Sequence, residues 1–318
     1  GPSLAMAANF TMQTGYYVGN GASVSIQTGF QPDLVIIKSD TTTIPAVMTT
    51  SAMPAGTVVT MTAAANTYAS QITLNATGFT AGQSERLELQ GSGFRLTSDM
   101  GLSVSNVRYQ WIAFGGSDCT ASGTFCVGTY QGNGSSPRAI STGFQPDFVM
   151  VKRYGANAMS MRTASMPVNE AQFMANVVRS TNGTAIQSFG ATDFTIGNSN
   201  NAPGNPHYFV AFKNTTGIFK EGSYVADNTD NRGISGIGFQ PSMVLIKNGT
   251  NTTANNTHPV FSTNHSYGHQ SNFITATANA SNNIQLLQSD GFEVGNSIYT
   301  NGSATDTQYY VAFGGAST

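Results

Sequence analysis

Histidine is the residue type in this chain best suited to binding a metal ion. Of the four histidines, His258, His265 and His269 lie close together in sequence, and imidazole nitrogens at such spacings can bind zinc. No cysteine accompanies them, and the segment from Asn264 to His269 is polar. We expect these side chains to be solvated in a loop rather than bound to metal. His265 and His269 are the alternative candidates for a metal site, and no cofactor is predicted.

Carboxylates could supply acid–base chemistry, but the chain has few of them, 15 aspartates and glutamates in 318 residues. A glycosidase needs two carboxylates that flank the scissile bond. Glu85 and Glu88 lie three residues apart, and that spacing does not place strand side chains on the same face. Phosphate-binding loops, dinucleotide fingerprints and the Gly-X-Ser-X-Gly elbow are absent from the sequence. We therefore predict that the protein is not an enzyme.

Aromatic side chains in loops are the candidates for binding a sugar, because they combine a flat apolar ring with a polar edge. The candidate residues outside the repeated motifs described below are Tyr68, Tyr154, Tyr267, Tyr299 and, as a hydrogen-bond donor beside Tyr154, Arg153. The single tryptophan, Trp111, aligns instead with Phe209 and Tyr310 in the last strand of each repeat. An aromatic residue at the same position in every copy indicates core packing, so Trp111 is not a binding candidate.

The only two cysteines, Cys119 and Cys126, bracket a short loop at the point where the first repeat gives way to the second. If the flanking strands run antiparallel, a disulfide between them would restrain this junction. Two free cysteines are the alternative. The disulfide is the favoured interpretation, and it implies an oxidising compartment.

A repeated strand that ends in lysine determines the domain organisation. The motif Gly-Phe-Gln-Pro begins at Gly29, Gly143 and Gly238, and the apolar run after each copy ends at Lys38, Lys152 and Lys247. The copies are 143 − 29 = 114 and 238 − 143 = 95 residues apart, which is the size of a domain. The lysine side chain is expected to close a buried strand and to reach water with its ammonium group. A functional triad about a pseudo-threefold axis is the alternative.

Short runs rich in Val, Ile, Phe, Tyr and Thr, separated by Gly, Asn, Ser and Pro, indicate β-strands throughout. Each repeat opens with Gly-X-Tyr and closes with an aromatic strand that ends at Phe114, Phe212 or Phe313. We predict an all-β chain of three tandem β-sandwich or jelly-roll repeats of about 100 residues each. Residues 1–6 are expected to be an expression scar, and the repeats are expected to span residues 7–117, 118–216 and 217–318.

The order of these motifs resembles a module found in bacteriophage tail and virion proteins and in secreted bacterial surface proteins. The resemblance covers the chain from about Phe10 to Phe313. It implies a concanavalin-like jelly roll without catalysis, and a role in attachment or structure. Ser242 stands where the other copies have Asp33 and Asp147, so a role that requires a carboxylate in every copy is disfavoured. These aspartates are expected to bridge turns instead.

The composition narrows the range of partners. Only 9% of residues are charged and the net charge is −2, so no nucleic acid is expected to bind. No apolar stretch is long enough to span a bilayer, so no membrane insertion is expected. Solubility that depends on Asn, Thr, Ser and Gly suits an extracellular, cell-surface or virion location.

The first hypothesis for the function is an adhesive protein that binds a cell-surface glycan or protein through its loops. The second is a structural component of a fibre, pilus, surface layer or tail that contacts copies of itself, and a polysaccharide-active enzyme ranks third.

Overall fold

The computed structural model describes residues 10–42, 44–63, 68–69, 72–82, 85–90, 93–98, 101–253 and 255–315. Within these ranges the chain forms 27 β-strands and one short 3₁₀ helix, Asn198–Asn200, with no α-helix. Long apolar helices of the kind that cross a membrane are therefore not found in the described ranges. The predicted all-β fold class is confirmed.

Repeat 1 forms the first sandwich. Its strands are β1 (Thr11–Val18), β2 (Val24–Gln27), β3 (Leu34–Ser39), β4 (Val47–Thr50), β5 (Thr57–Thr60), β6 (Tyr68–Ala69), β7 (Ile72–Asn75), β8 (Gly78–Ala81), β9 (Glu85–Gln90), β10 (Gly93–Ser98) and β11 (Arg108–Gly115). The larger sheet has the order β1-β11-β3-β4-β5-β6, the smaller sheet has the order β2-β8-β7, and β9 pairs with β10. The strands of the smaller sheet are thus inserted in sequence between strands of the larger one.

Repeats 2 and 3 have the same plan with a five-stranded and a three-stranded sheet each. Repeat 2 contains β12 (Phe125–Gln131), β13 (Arg138–Ser141), β14 (Phe148–Arg153), β15 (Ser160–Thr163), β16 (Gln172–Phe173), β17 (Ile186–Phe189), β18 (Asp193–Ile196) and β19 (Pro206–Phe212). Repeat 3 contains β20 (Phe219–Val225), β21 (Arg232–Ser235), β22 (Met243–Asn248), β23 (Val260–Thr263), β24 (Asn272–Phe273), β25 (Ile284–Gln288), β26 (Gly291–Val294) and β27 (Thr307–Phe313). Their orders, β12-β19-β14-β15-β16 with β13-β18-β17 and β20-β27-β22-β23-β24 with β21-β26-β25, are equivalent. The predicted β-sandwich repeats are confirmed.

The lysine-ended strand is buried on both faces because it separates two different cores. In β3, Leu34 and Ile36 pack into one cluster, whereas Val35 and Ile37 pack into another. Successive side chains of a strand point to opposite faces, so one face of β3 covers the small sheet of its own repeat. The other face packs against the other two repeats.

Each sandwich has its own core behind the larger sheet. An edge-to-face aromatic pair lies at the equivalent place in every repeat: Phe79 with Trp111, Phe194 with Phe209, and Phe292 with Tyr310, at ring-centroid distances of 5.5, 5.2 and 5.2 Å. Trp111 is 5% exposed. Its predicted role in core packing is confirmed.

A fourth, central core joins the three repeats. The phenylalanines that end the closing strands form a triangle, with ring-centroid distances of 5.3 Å between Phe114 and Phe212, 4.9 Å between Phe212 and Phe313, and 5.1 Å between Phe313 and Phe114. Ten methionines fill the space around this triangle, since an unbranched side chain adapts to irregular gaps: Met12, Met48, Met53, Met61, Met150, Met159, Met161, Met166, Met174 and Met243. The near-equal sides indicate a pseudo-threefold axis.

The three repeated lysines tie each repeat to the next around this axis. Lys38 of repeat 1 donates to the carbonyl of Thr277 in repeat 3, and Lys152 of repeat 2 donates to that of Thr62 in repeat 1. Lys247 of repeat 3 donates to two carbonyls of repeat 2, at 2.8 Å to Ala175 and 3.1 Å to Val177. All three lysines are 0% exposed. The expectation that their ammonium groups reach water is therefore wrong, because carbonyl oxygens of the neighbouring repeat take the place of water.

We call the contact surface between two repeats a seam. At two of the three seams, a backbone hydrogen bond links the two repeats in the same cyclic order as the lysines. The amide of Ala46 donates to Ile274 at 2.7 Å, and the amide of Met159 donates to Met61 at 2.9 Å. Pro259 occupies the equivalent position in repeat 3, directly before β23, and proline has no N–H to donate. The seam between repeats 3 and 2 therefore lacks this bond.

The junction between repeats 1 and 2 is closed by the predicted disulfide. Cys119 is bonded to Cys126, which lies in β12. Nearby, the Asp33 carboxylate accepts hydrogen bonds from the Ser51 hydroxyl at 2.7 Å and the Ser117 amide at 2.8 Å. The prediction that this aspartate bridges turns is confirmed.

Candidate functional site

The seam between repeats 1 and 3 carries the most distinctive group of exposed side chains. Residues 264–269 of repeat 3, between β23 and β24, lie against β1 and β11 of repeat 1. Thr14 hydrogen-bonds to the side chain of Asn264, and it also lies 3.0 Å from Nδ1 of His265. The His265 carbonyl accepts hydrogen bonds from Arg108 at 2.6 Å and from Gln110 at 3.3 Å. These bonds hold the loop against the strands.

Arg108 contacts two exposed tyrosines at this seam. The centre of its guanidinium group is 4.1 Å from the ring centroid of Tyr16 and 5.7 Å from that of Tyr267. Tyr16 is 52% exposed and Tyr267 is 70% exposed, so large parts of both rings face solvent. The guanidinium is held in place by Asp40 at 3.6 Å and by the His265 carbonyl. Cation–π contact of this kind fixes the rings without covering them.

A groove of about 260 Å³ lies beside the same loop. It is lined mainly by hydroxyl and amide side chains of the loop, of β23 and β25, and of the segment before β22: Gln240, Ser262, Thr263, Asn264, Ser266 and Gln285, with Ile284, Leu286 and Leu287 as its apolar residues. Such a mixture of amide groups with a few apolar side chains can form directional hydrogen bonds to hydroxyl groups.

Arg108 dominates the electrostatics of the seam. Burial, and in second place the nearby positive charge of Arg108, lowers the pKa of His265 below its usual value. The imidazole is therefore neutral at pH 7, and its Nδ1 faces the Thr14 hydroxyl and the Asn264 amide. The charged pair of the seam, Arg108 with Asp40, is an ion pair and not two carboxylates. The arrangement presents flat rings and hydrogen-bonding groups.

The three clustered histidines bind different partners. His258 contacts the Thr275 hydroxyl at 2.9 Å, and His269 contacts the Gln285 carbonyl at 3.0 Å, while His265 belongs to the seam. In the part of the chain that the structure describes, no three His, Cys, Asp or Glu side chains are grouped so that they could hold a metal ion.

The remaining candidates lie apart from this seam. Tyr154 is 45% exposed in repeat 2, and its neighbour Arg153 lines a separate cavity. Tyr299 is half-buried and packs edge-to-face on Phe273 with 5.4 Å between the ring centroids. Tyr68 belongs to β6, and its side chain lies outside the described residues, as do those of Glu85 and Glu88.

Sequence reasoning found Tyr267 but missed Tyr16 and Arg108. Tyr17 is the repeated tyrosine of the opening motif, and Tyr16 precedes it where the other repeats have Thr129 and Ser223. The two adjacent tyrosines, Tyr16-Tyr17, are therefore the sequence feature that could have identified an additional, exposed ring in repeat 1. Alternation along β1 buries Tyr17 and exposes Tyr16.

Among the described residues, the other seams lack this aromatic group. At the seam between repeats 3 and 2, the Glu221 carboxylate accepts a hydrogen bond of 2.6 Å from the Ser165 hydroxyl. Ser165 and Glu221 occupy the positions of His265 and Thr14, and Pro167 stands in place of Tyr267. The exposed rings are thus a property of one seam.

No protein-family model matches the chain, and no curated protein is similar to it in sequence.

Proposed function

We propose that this protein is a non-enzymatic, extracellular or virion-associated adhesin that binds a surface glycan through the seam between repeats 1 and 3. The observation that carries the proposal is the pair of exposed tyrosines, Tyr16 and Tyr267, that both contact the Arg108 guanidinium. Two rings that share contact with one guanidinium offer stacking surface at little entropic cost, because the contact restrains their side chains before a ligand binds.

The adjoining groove supports a glycan rather than an apolar ligand. Its hydroxyl and amide groups match the hydroxyl groups of sugars. The Cys119–Cys126 disulfide supports an oxidising compartment, as expected for a surface protein. Because a single seam carries the aromatic pair, we expect one principal site per chain, and avidity would come from several chains on one particle.

A glycan array tests the proposal. We expect the wild-type protein to bind a defined subset of glycans, and Tyr267→Ala to lose at least about tenfold in affinity, which corresponds to the roughly 1.4 kcal/mol of one good ring contact. Val168→Ala, on the equivalent loop of repeat 2 and also exposed, is the matched control and should bind as the wild type does. The absence of binding both to the array and to whole cells would overturn the proposal. Assembly into filaments or lattices would then favour the structural role.

A further inference from the structure

A cavity in repeat 2 has a mainly polar lining. It has a volume of about 180 Å³ and lies beside β14, β15 and the 3₁₀ helix. Its polar lining comes from Arg153, Asn157, Ser160, Ser199 and Asn200, and Phe173 and Val177 form its apolar side. The volume is below the roughly 300 Å³ of pockets for drug-sized ligands, so it suits one sugar ring.

The amide of Asn200 is fixed but incompletely paired. Asn200 is 5% exposed. Its Oδ1 accepts a hydrogen bond of 3.0 Å from Ser160, and its backbone carbonyl accepts one of 2.6 Å from the Tyr130 hydroxyl. Its Nδ2 is buried without a hydrogen-bond partner. An acceptor atom of a ligand would give this amide its missing partner.

Arg153 brings a positive charge to the same cavity. Among the ion pairs formed by described residues, those of Arg108, Arg179 and Arg232 each involve an aspartate or glutamate, and Arg153 takes part in none of them. A guanidinium group binds a carboxylate through two parallel hydrogen bonds. The lining of the cavity therefore combines a cation with an asparagine whose amide nitrogen has no partner.

Comparison with the other repeats shows that the fold does not require this space. Ala158 of repeat 2 corresponds to His258 of repeat 3. Ser199 directly precedes Asn200, and Tyr299 directly precedes the equivalent Thr300, because a repeated tyrosine hydroxyl donates to the carbonyl of each. His258 and Tyr299 pack against each other with 5.3 Å between their ring centroids. In repeat 1, Val47 takes the place of Ser160 and is buried in the sandwich core. Repeat 2 thus has small or polar residues where repeat 3 has two rings and repeat 1 has a buried valine.

We propose that the repeat 2 cavity binds a single carboxylate-bearing sugar unit, with the carboxylate on Arg153 and a ring or hydroxyl oxygen on the Asn200 amide. The apolar face of the sugar ring lies against Phe173 and Val177. This site is separate from the seam between repeats 1 and 3. The proposal for the cavity therefore does not depend on glycan binding at the seam.

Titration calorimetry with sodium glucuronate, glucose and sodium acetate tests this assignment. We expect saturable binding of glucuronate, at least tenfold weaker binding of glucose, which lacks the carboxylate, and at least tenfold weaker binding of acetate, which lacks the ring. Arg153→Gln should lose at least tenfold in affinity for glucuronate. Ser199→Tyr, at an exposed position, should abolish binding by filling the cavity as Tyr299 does in repeat 3. Ala158→His serves the same purpose if Ser199→Tyr fails to fold.

The seam variant Tyr267→Ala separates the two sites, since it should bind glucuronate as the wild type does. Loss of glucuronate binding in Tyr267→Ala would overturn the assignment to repeat 2. Binding that survives in both Ser199→Tyr and Ala158→His, equal affinity for acetate and glucuronate, or no saturable binding of glucuronate would overturn it as well.

Discussion

The region beside β15 in repeat 2 and the equivalent region beside β23 in repeat 3 differ in how they are filled. In repeat 3, His258 and Tyr299 pack edge-to-face on Phe273, so the space beside β23 is filled with rings. In repeat 2, Ala158 and Ser199 stand at these positions and leave a cavity. The backbone pairing of β15 with β14 and of β23 with β22 is the same in both repeats. Differences in a few side chains, Ala158 and Ser199 among them, therefore distinguish a filled region from a cavity.

The comparison is possible because the three repeats share a set of buried residues, which we call the frame, whereas positions such as 158 and 258 differ. Phe114, Phe212 and Phe313 form that frame, together with the buried lysines. We expect substitutions in the shared frame to affect all three repeats and substitutions at the variable positions to affect one.

The largest effect is expected for Phe212→Ala. The Phe212 ring packs against rings from all three repeats, including Phe114 and Phe313, and removing a buried phenylalanine side chain costs about 3–5 kcal/mol. Chemical denaturation should show the whole chain unfolding in one transition at a lower midpoint. Phe189→Ala, on the outer sheet of repeat 2 and partly exposed, is the control and should lose much less. A two-step transition in which repeats 1 and 3 keep their stability would show that the central core is not shared.

A smaller loss is expected when the aromatic cluster of repeat 3 is opened. The double substitution His258→Ala/Tyr299→Ser makes repeat 3 resemble repeat 2, and we expect a loss of about 2–4 kcal/mol because rings in contact with Phe273 are removed. The reverse change in repeat 2, Ala158→His/Ser199→Tyr, should be neutral or stabilising. Thermal unfolding of both variants checks this, and equal losses in the two directions would contradict the comparison.

Lys247→Met should cost about 1–2 kcal/mol at pH 7. The change leaves the Ala175 and Val177 carbonyls without their donor, but it also removes a buried charge, so the two effects partly offset each other. The exposed Lys213 provides the control, as Lys213→Met should have no measurable effect. A variant as unstable as Phe212→Ala would mean that the lysine carries more of the frame than its hydrogen bonds explain.

The lowered pKa values of the three buried lysines predict how the free energy of unfolding changes with pH. Burial lowers the pKa of Lys247 to about 7, and that of Lys38 and Lys152 to about 8. The unfolded chain holds these protons up to about pH 10.4, so between about pH 7 and that value it binds more protons than the folded chain. Stability should therefore rise with pH in this window.

Buried tyrosines set the upper limit of that rise. Burial raises the pKa of Tyr17 and Tyr224 above the usual value, and the stability they contribute is lost once tyrosines of the unfolded chain ionise near pH 10. Melting temperatures from pH 6 to 11 should therefore pass through a maximum between about pH 9 and 10. The rise should be shallower in Lys247→Met, and an unchanged slope would contradict the role of this lysine.

The smallest effect on stability is expected at the seam between repeats 1 and 3. Tyr267 is 70% exposed, so Tyr267→Ala should change the free energy of unfolding by no more than about 0.5 kcal/mol. The same substitution is expected to weaken glycan binding. A large loss of stability would show that this ring is part of the frame rather than of a binding surface.

Much of the fold was predictable from the sequence, because the three repeated motifs mark the same strands. The run Leu34–Ile37 is apolar at every position, so burial of both faces of the strand was predictable. What covered the second face was not, since an apolar run does not distinguish a sheet of the same repeat from a neighbouring repeat. For the same reason the final environment of Lys38 was missed. A lysine at the end of a buried strand usually reaches water, but here carbonyl oxygens of the adjacent repeat receive its hydrogen bonds.

The candidate sites were less predictable than the fold. Tyr267 was identified because it lies outside the repeated motifs, but its neighbour Arg108 belongs to β11 and is 157 residues from its partner His265. Such a pair forms only when the three repeats assemble around the pseudo-threefold axis, and no local sequence pattern specifies that arrangement. Arg153 was identified as a donor, whereas the role of Asn200 depended on the buried surroundings of its amide.

Joining the repeats in one polypeptide has a consequence for variation. In a trimer of identical subunits, every substitution appears at each of the three equivalent interfaces. Here Tyr267 meets Arg108 at one interface, while a serine–glutamate hydrogen bond occupies the matching place at another. Each of the three interfaces can thus carry its own side chains, so the proposed binding surface need not share the threefold symmetry of the central core.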